Sequence, residues 1–144
     1  MLLSVPFLLI ALNAHPVITA PEYAGAGLWL VAFAGEALSD RQLRLFKSNP
    51  SHRGQVCREG LWKYSRHPNY FFEWLIWVSY FLLALPATNG WLSVVSPLLI
   101  LFFLFRITGI PATEAQALRS RGELYREYQR TTSAFVPWFP KGQV

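Results

Sequence analysis

Residues 74–105 contain no Asp, Glu, Lys or Arg. This uncharged stretch of 32 residues is interrupted once, by Pro86-Ala87-Thr88-Asn89-Gly90, a turn composition. Each flank is close to the ~20 residues needed to cross the hydrocarbon of a bilayer. The pattern predicts two membrane helices joined by a tight hairpin. Two buried helices of a soluble bundle are the alternative reading of such runs. A hydrophobic fraction of 53%, with 11 Phe, 6 Trp and 6 Tyr, is high for a soluble domain but does not decide alone. The distribution of charge decides for the membrane.

Two further apolar runs cover residues 1–14 and 23–38. No basic segment precedes the first and no small-residue cleavage site follows it, so it does not read as a signal peptide. At 14 residues it is short for a span. It is either a complete tilted or interfacial helix, or the tail of a longer one. The expected order is then a first helix over 1–14 and a connector of His15-Pro16 and Pro21. A second helix over 23–38 extends as a polar helix to Phe46. A loop follows over 48–54, and a third helix over 68–85. A fourth helix, over 91–110, carries Arg106 and is broken by Gly109-Ile110-Pro111. An amphipathic helix over 113–130 precedes the tail Phe135-Val136-Pro137-Trp138-Phe139-Pro140, whose Trp suits the interfacial depth. No internal repeat is present. The expected fold class is all-α, a polytopic membrane helical bundle with about four membrane helices plus a C-terminal amphipathic cytoplasmic helix. Residues 1–144 form one membrane domain.

The net charge of +5 gains meaning from its placement. Of 13 Lys and Arg, seven lie between residues 41 and 66 and five after Pro111. The connectors at 15–21 and 86–90 have none. By the positive-inside rule the basic loop 40–66 and the C-terminus are cytoplasmic, and helices three and four go out and return.

The stretch from Gly60 to Trp77 holds the polar-to-apolar switch of the chain. Pro68 suits the first turn of a helix, where its missing N–H has no partner to lose. Asn69 and Glu73 then share a face, with Trp77 one turn further on. Upstream, Glu36, Asp40, Arg44 and Lys47 line one face of the second helix. The basic set Arg41, Arg44, Lys47, Arg53, Arg58, Lys63 and Arg66 suits phosphate, or else topology and anionic lipid. Glu36, Asn69, Glu73 and Arg106 are polar groups set in or beside apolar sequence. They form either a structural pair, such as Glu73 with Arg106, or the wall of a site. Three scattered His and the single Cys57 make no zinc set and no internal disulfide. No alternation of strands and helices is available for a Rossmann site. Trp62, Tyr64, Trp74, Trp77, Tyr125, Tyr128 and Trp138 read as interfacial anchors, of which one or two can stack on a ligand ring.

Gly60-Leu-Trp-Lys-Tyr-Ser-Arg-His-Pro-Asn-Tyr-x-x-Glu73 resembles the signature of the steroid 5-alpha-reductase C-terminal domain family, especially its uncharacterised branch with Ser-Arg-His-Pro-Asn-Tyr. Three more blocks agree in order. They are Glu36-x-x-x-Asp40-Arg-Gln-Leu-x-x-Phe-Lys47, Gly109-Ile-Pro-x-Thr-Glu114, and Tyr125-x-x-Tyr128-x-x-x-Thr-Ser-x-Phe-x-Pro137-Trp-Phe-Pro. The resemblance implies a membrane reductase that binds NADPH at the cytoplasmic end of a helical bundle. It carries cofactor contacts onto Asp40, Arg44, Lys47 and Asn69, with Glu73 in support and Arg66, His67 and Tyr70 in the same motif. Hydride transfer to an activated carbon–carbon double bond of a lipid or steroid-like substrate is the implied reaction. Two departures stand out. The motif's usual Gly before its Glu is Phe72, which obstructs close backbone approach. The family's further N-terminal helices, which supply the groups that polarise the substrate, are not in this sequence. A partner subunit or preceding helices are therefore expected to complete the site, and no catalytic acid is assigned.

Arg-His-Pro-x-Tyr followed by a C-terminal Glu and a Tyr-bearing helix is also similar to isoprenylcysteine carboxyl methyltransferases and phospholipid methyltransferases. That resemblance implies an S-adenosylmethionine pocket lined by Arg66, His67, Tyr70, Glu114 and Tyr128. Those enzymes favour a Glu-Glu pair where this chain has Thr113-Glu114, and they lack the Asp40 block. An inactive fragment is a third class. The expected partners are the bilayer and a lipid-like small molecule, with no nucleic acid and no metal.

Overall fold

The computed structural model describes residues 2–14 and 17–141. Met1, His15 and Pro16 lie outside the described residues, and so do the expected helix start at residue 1, the His15-Pro16 connector and residues 142–144. The described residues are all-helical. A 3-10 turn, Leu2–Ser4, leads into α1, Val5–Ala11. Then come α2, Ala20–Ser48, and α3, Pro68–Ala84. A 3-10 turn, Gly90–Val94, opens α4, Val95–Arg106. The last two are α5, Ile110–Arg121, and α6, Glu123–Thr131. The described residues include no strand, only an isolated bridge between Ser65 and Ser133.

The expected spans are modified. The helical stretch Gly90–Arg121 is long and apolar enough to cross a membrane. Only 33% of its apolar window is buried, unlike the core helix of a soluble protein. The apolar part lies before Gly109, and α5 beyond it is polar. No other described helix meets that standard. α1 has 7 residues and α3 has 17, below the ~20 of a full span. α2 has 29, but Glu22 and Glu36 bracket its apolar half and hold its hydropathy down.

Local chemistry explains the shifted boundaries. α2 starts at Ala20, three residues before its apolar run, because the Glu22 side chain reaches back to Thr19, as the Glu of a capping box does. The Thr19 backbone N–H and hydroxyl both donate to Glu22 Oε2, at 2.7 and 2.8 Å. α4 begins as a 3-10 turn because Pro97 cannot donate to the Ser93 carbonyl. The expected final helix is two helices, since Gly122 sits between them at φ 53°, ψ −122°, which a side chain resists.

The chain divides into two compact units. Unit one comprises Met1–Ala34 and Phe72–Phe103. Its contacts are aromatic and small-residue contacts. Phe7 packs on Tyr80 and Trp77, with ring centroids 4.7 and 6.2 Å apart. Trp29 Nε1 donates to the Tyr80 hydroxyl at 3.2 Å. Gly25 permits close approach of α2 and α3, because a Cβ there would lie 2.9 Å from Leu83 Cγ and 3.0 Å from the Ser79 carbonyl. Ser79 and Ser96 are fully buried and return their hydroxyls to the backbone carbonyls of Ile76 and Leu2.

Unit two comprises Gly35–Phe71 and Leu104–Val144, and its core is tied by hydrogen bonds across long sequence distances. Gly60, at φ +56°, lets the Gln42 side chain reach the backbone, where it accepts from Leu61 N at 2.9 Å. Trp62 donates its indole N–H to the Ser39 carbonyl at 2.9 Å. The buried Tyr128 hydroxyl donates to the carbonyls of Trp62 and Ser65. The tail is part of this unit: Phe135 is buried against Phe71 and Phe105, and Trp138 N donates to the Tyr64 carbonyl at 2.9 Å. Trp138 and Phe139 themselves face outward.

Candidate functional site

The Ser65-Arg66-His67-Pro68 turn sets the site. Ser65 Oγ accepts from His67 N at 3.1 Å and donates to the Phe135 carbonyl at 2.8 Å. Arg66 N donates to the Ser133 carbonyl at 2.9 Å. The turn is thus clamped to the tail on both sides. Pro68 then starts α3, in the position its fixed φ suits.

This clamp aims Arg66 and His67 at Glu114, on the first turns of α5. Arg66 Nε donates to Glu114 Oε1 at 2.7 Å, and its Nη1 donates to the carbonyls of Gln129 and Thr132 at 3.0 and 2.6 Å. His67 Nε2 lies 3.3 Å from the same carboxylate oxygen, so that nitrogen carries the proton. The Tyr125 hydroxyl donates to Oε1 at 3.5 Å, and Gln129 Nε2 donates to Oε2 at 2.8 Å. Burial alone would raise the Glu114 pKa. Hydrogen bonds from His67 and Arg66, and the Arg66 charge, outweigh it and hold the carboxyl at about 2. Burial, then the Glu114 charge, pushes the Tyr125 phenol up to about 12. Burial also raises Tyr128 and the thiol of Cys57.

Beside this hub, inside unit two, is a cavity of about 490 Å³, within the range of small-molecule and cofactor sites. Its lining includes Lys47, Arg66 and Arg121 and, among the described residues, no carboxylate. Trp62, Tyr70, Tyr125 and Tyr128 add aromatic surface. Asn69 also lines it, and Asn69 Oδ1 is buried with no hydrogen-bond partner. An orphaned buried acceptor costs about 1–3 kcal/mol, so this atom calls for a donor from a ligand. Tyr70 stacks on His67 with ring centroids 5.4 Å apart and approaches Thr113 Oγ1 at 3.3 Å.

The eight residues expected from sequence divide accordingly. Lys47, Arg66, His67, Asn69 and Tyr70 come together on the cavity. Asp40 is half-buried on α2 and Arg44 is exposed, and neither is in the lining. Glu73 lies in the stretch of α3 assigned to unit one. Of the remaining basic residues, Arg41, Arg53 and Lys63 are exposed. Arg58 is structural: it pairs with Glu127 at 3.2 Å, bonds the Leu124 carbonyl and faces the Tyr128 ring. Arg106 is exposed at the end of α4.

Sequence reading missed Arg121 and Gln129 as neighbours of the site, and named Tyr125 only among the aromatics that can stack on a ligand ring. Tyr125, Tyr128 and Gln129 follow a three-and-four spacing on one face of α6, which was the available signal. Arg121 was hidden among the basic residues that topology explains.

The chain belongs to the DUF1295 family of proteins of unknown function, whose model matches residues 1–132. That family is broadly related to steroid 5-alpha-reductase-like membrane proteins. The chain is 30% identical over 103 residues to an uncharacterized protein of Schizosaccharomyces pombe, covering 60% of this chain and 36% of the relative. It therefore spans little more than a third of the length of that curated relative. No solved structure matches it.

Proposed function

We propose that this chain is the cofactor-binding part of a multi-pass membrane reductase of the steroid 5-alpha-reductase-like type, with its basic loop and C-terminus on the cytoplasmic side. It acts with NADPH on a carbon–carbon double bond of a lipid-like substrate. The observation that carries this reading is the cavity: cations without a carboxylate among the described residues of its lining, aromatic walls, and the orphaned Asn69 Oδ1. These features fit a ligand that joins phosphates, rings and an N–H donor.

Asn69 would accept from the carboxamide or a ribose hydroxyl, and Lys47 would neutralise phosphate. NADPH, when bound, supplies the hydride. Glu114 keeps Arg66 and His67 fixed along the wall, which preorganises the site. No residue of this sequence is assigned as the substrate-polarising acid.

A second reading, an S-adenosylmethionine-dependent methyltransferase, draws on the Arg66–His67–Glu114 cluster. Tyr128 weakens it, because its hydroxyl is already committed to two backbone carbonyls. Equilibrium binding of each cofactor to the detergent-purified chain separates the two. NADPH binding that Asn69→Ala weakens supports the reductase. Binding of S-adenosylmethionine alone moves the protein to the methyltransferases.

A further inference from the structure

The cavity's charges differ in how they are neutralised. Arg66 is paired with Glu114, and its side chain is only 10% exposed. Lys47 is exposed at the end of α2, and Arg121 is half-buried at the end of α5. Neither has an ion-pair partner among the described residues. Arg121 Nε donates to the Gln55 carbonyl at 2.8 Å, and its Nη1 to Ser120 Oγ at 3.3 Å, both neutral acceptors. These bonds fix the guanidinium without cancelling its charge. The cavity thus has a buried polar part, with His67 and the Asn69 oxygen, and a cationic part made by Lys47 and Arg121.

We propose that Lys47 and Arg121 form a phosphate-binding subsite in this cavity, with Arg121, held by the Gln55 carbonyl, as the oriented member. The inference rests on the cofactor reading for the ligand's identity, but the phosphate chemistry stands on the charges alone. A guanidinium fork and an ammonium suit a phosphoanhydride or phosphomonoester. S-adenosylmethionine carries no phosphate, so this subsite also separates the two functional readings.

The test is binding of NADPH and of inorganic pyrophosphate to the full chain in detergent, for wild type, Lys47→Gln, Arg121→Gln and Arg121→Lys. Each Gln variant is expected to weaken both probes about tenfold, as loss of one charge-assisted contact does, with partial recovery in Arg121→Lys. Lys47→Gln guards against misfolding, since Lys47 makes no ion pair among the described residues. Unchanged pyrophosphate affinity in both Gln variants overturns the subsite. Pyrophosphate binding that depends on Arg121 in a chain that ignores NADPH keeps the subsite and removes the cofactor reading. Displacement of that pyrophosphate by phosphatidylglycerol micelles then assigns the phosphate to a lipid headgroup. NADPH binding that neither Gln variant weakens keeps the cofactor and rejects the subsite.

Discussion

The two units of this chain share one way of burying polar groups, returning hydroxyls to backbone carbonyls, and differ in what the second adds. Unit one buries hydroxyls and returns each to a backbone carbonyl, while rings and a glycine contact set its packing. Unit two adds a half-buried carboxylate and surrounds it with a guanidinium, an imidazole, a phenol and an amide. The difference separates shape from charge. Packing among apolar helices depends on close approach at small residues. A buried ion pair is held by full satisfaction of its donors and acceptors, and removing one partner leaves the other uncompensated. Substitutions in the first unit should act on stability alone. Those around Glu114 should act on stability, pH response and ligand binding together.

The strongest break is Glu114→Ala. It strands Arg66 and His67 in a half-buried wall, with an expected loss of about 3–5 kcal/mol and of measurable NADPH binding. Hydrogen exchange should localise the loss to peptides of α5 and α6, while α3 peptides beyond Phe72 keep their protection. Equal loss in both units would erase the distinction.

Gly25→Val is the matching probe of unit one. The new side chain meets Leu83 and the Ser79 carbonyl, so the melting temperature should fall by the equivalent of about 1–3 kcal/mol. NADPH affinity should not change. A change in affinity would mean that the first unit's packing also shapes the cavity.

Acid gives a graded version of the first test. The Glu114 carboxyl is held at about 2 in the fold against 4.5 ordinarily. Its stabilisation is therefore complete above pH 4.5 and disappears as pH falls toward 2. On the order of 2 kcal/mol is at stake once screening by the open cavity is allowed for. Thermal unfolding between pH 6 and 3 should show a progressive loss that Glu114→Gln, already weakened, no longer shows.

Asn69→Ala has the smallest expected effect on stability. It deletes an oxygen with no partner, so the melting temperature should stay or rise slightly, while NADPH affinity drops about tenfold. A destabilised variant with normal affinity would make Asn69 a structural residue.

Parts of this arrangement were legible in the chain itself. Pro68 announced the start of α3 because proline at a first turn has a local cause. The charge-free stretch announced two apolar helices parted by a turn, and five of the eight expected site residues do meet on one cavity. The capping contact of Thr19 and Glu22 was also local, yet the later apolar run at residue 23 masked it. What sequence could not provide was long-range pairing. Nothing near Glu114 indicates that Arg66, 48 residues away, is its partner, and nothing near Arg121 indicates the Gln55 carbonyl. Asp40 and Arg44 share a helical face with Lys47 by spacing, but cavity lining depends on where the helix ends against its neighbours, which spacing does not encode.

The most direct measurement uses the chain's single cysteine as a reporter. Cys57 lies in the cavity wall, buried, with its thiol pKa raised by that burial, so alkylation by N-ethylmaleimide is slow and sensitive to access. The rate would be followed by mass spectrometry on the detergent-purified chain with and without saturating NADPH. A several-fold slowing by NADPH, absent with S-adenosylmethionine and lost in Asn69→Ala, is the result predicted for a cofactor seated in this cavity. NADPH binding that leaves the Cys57 rate unchanged would contradict the account, because the ligand would then be elsewhere.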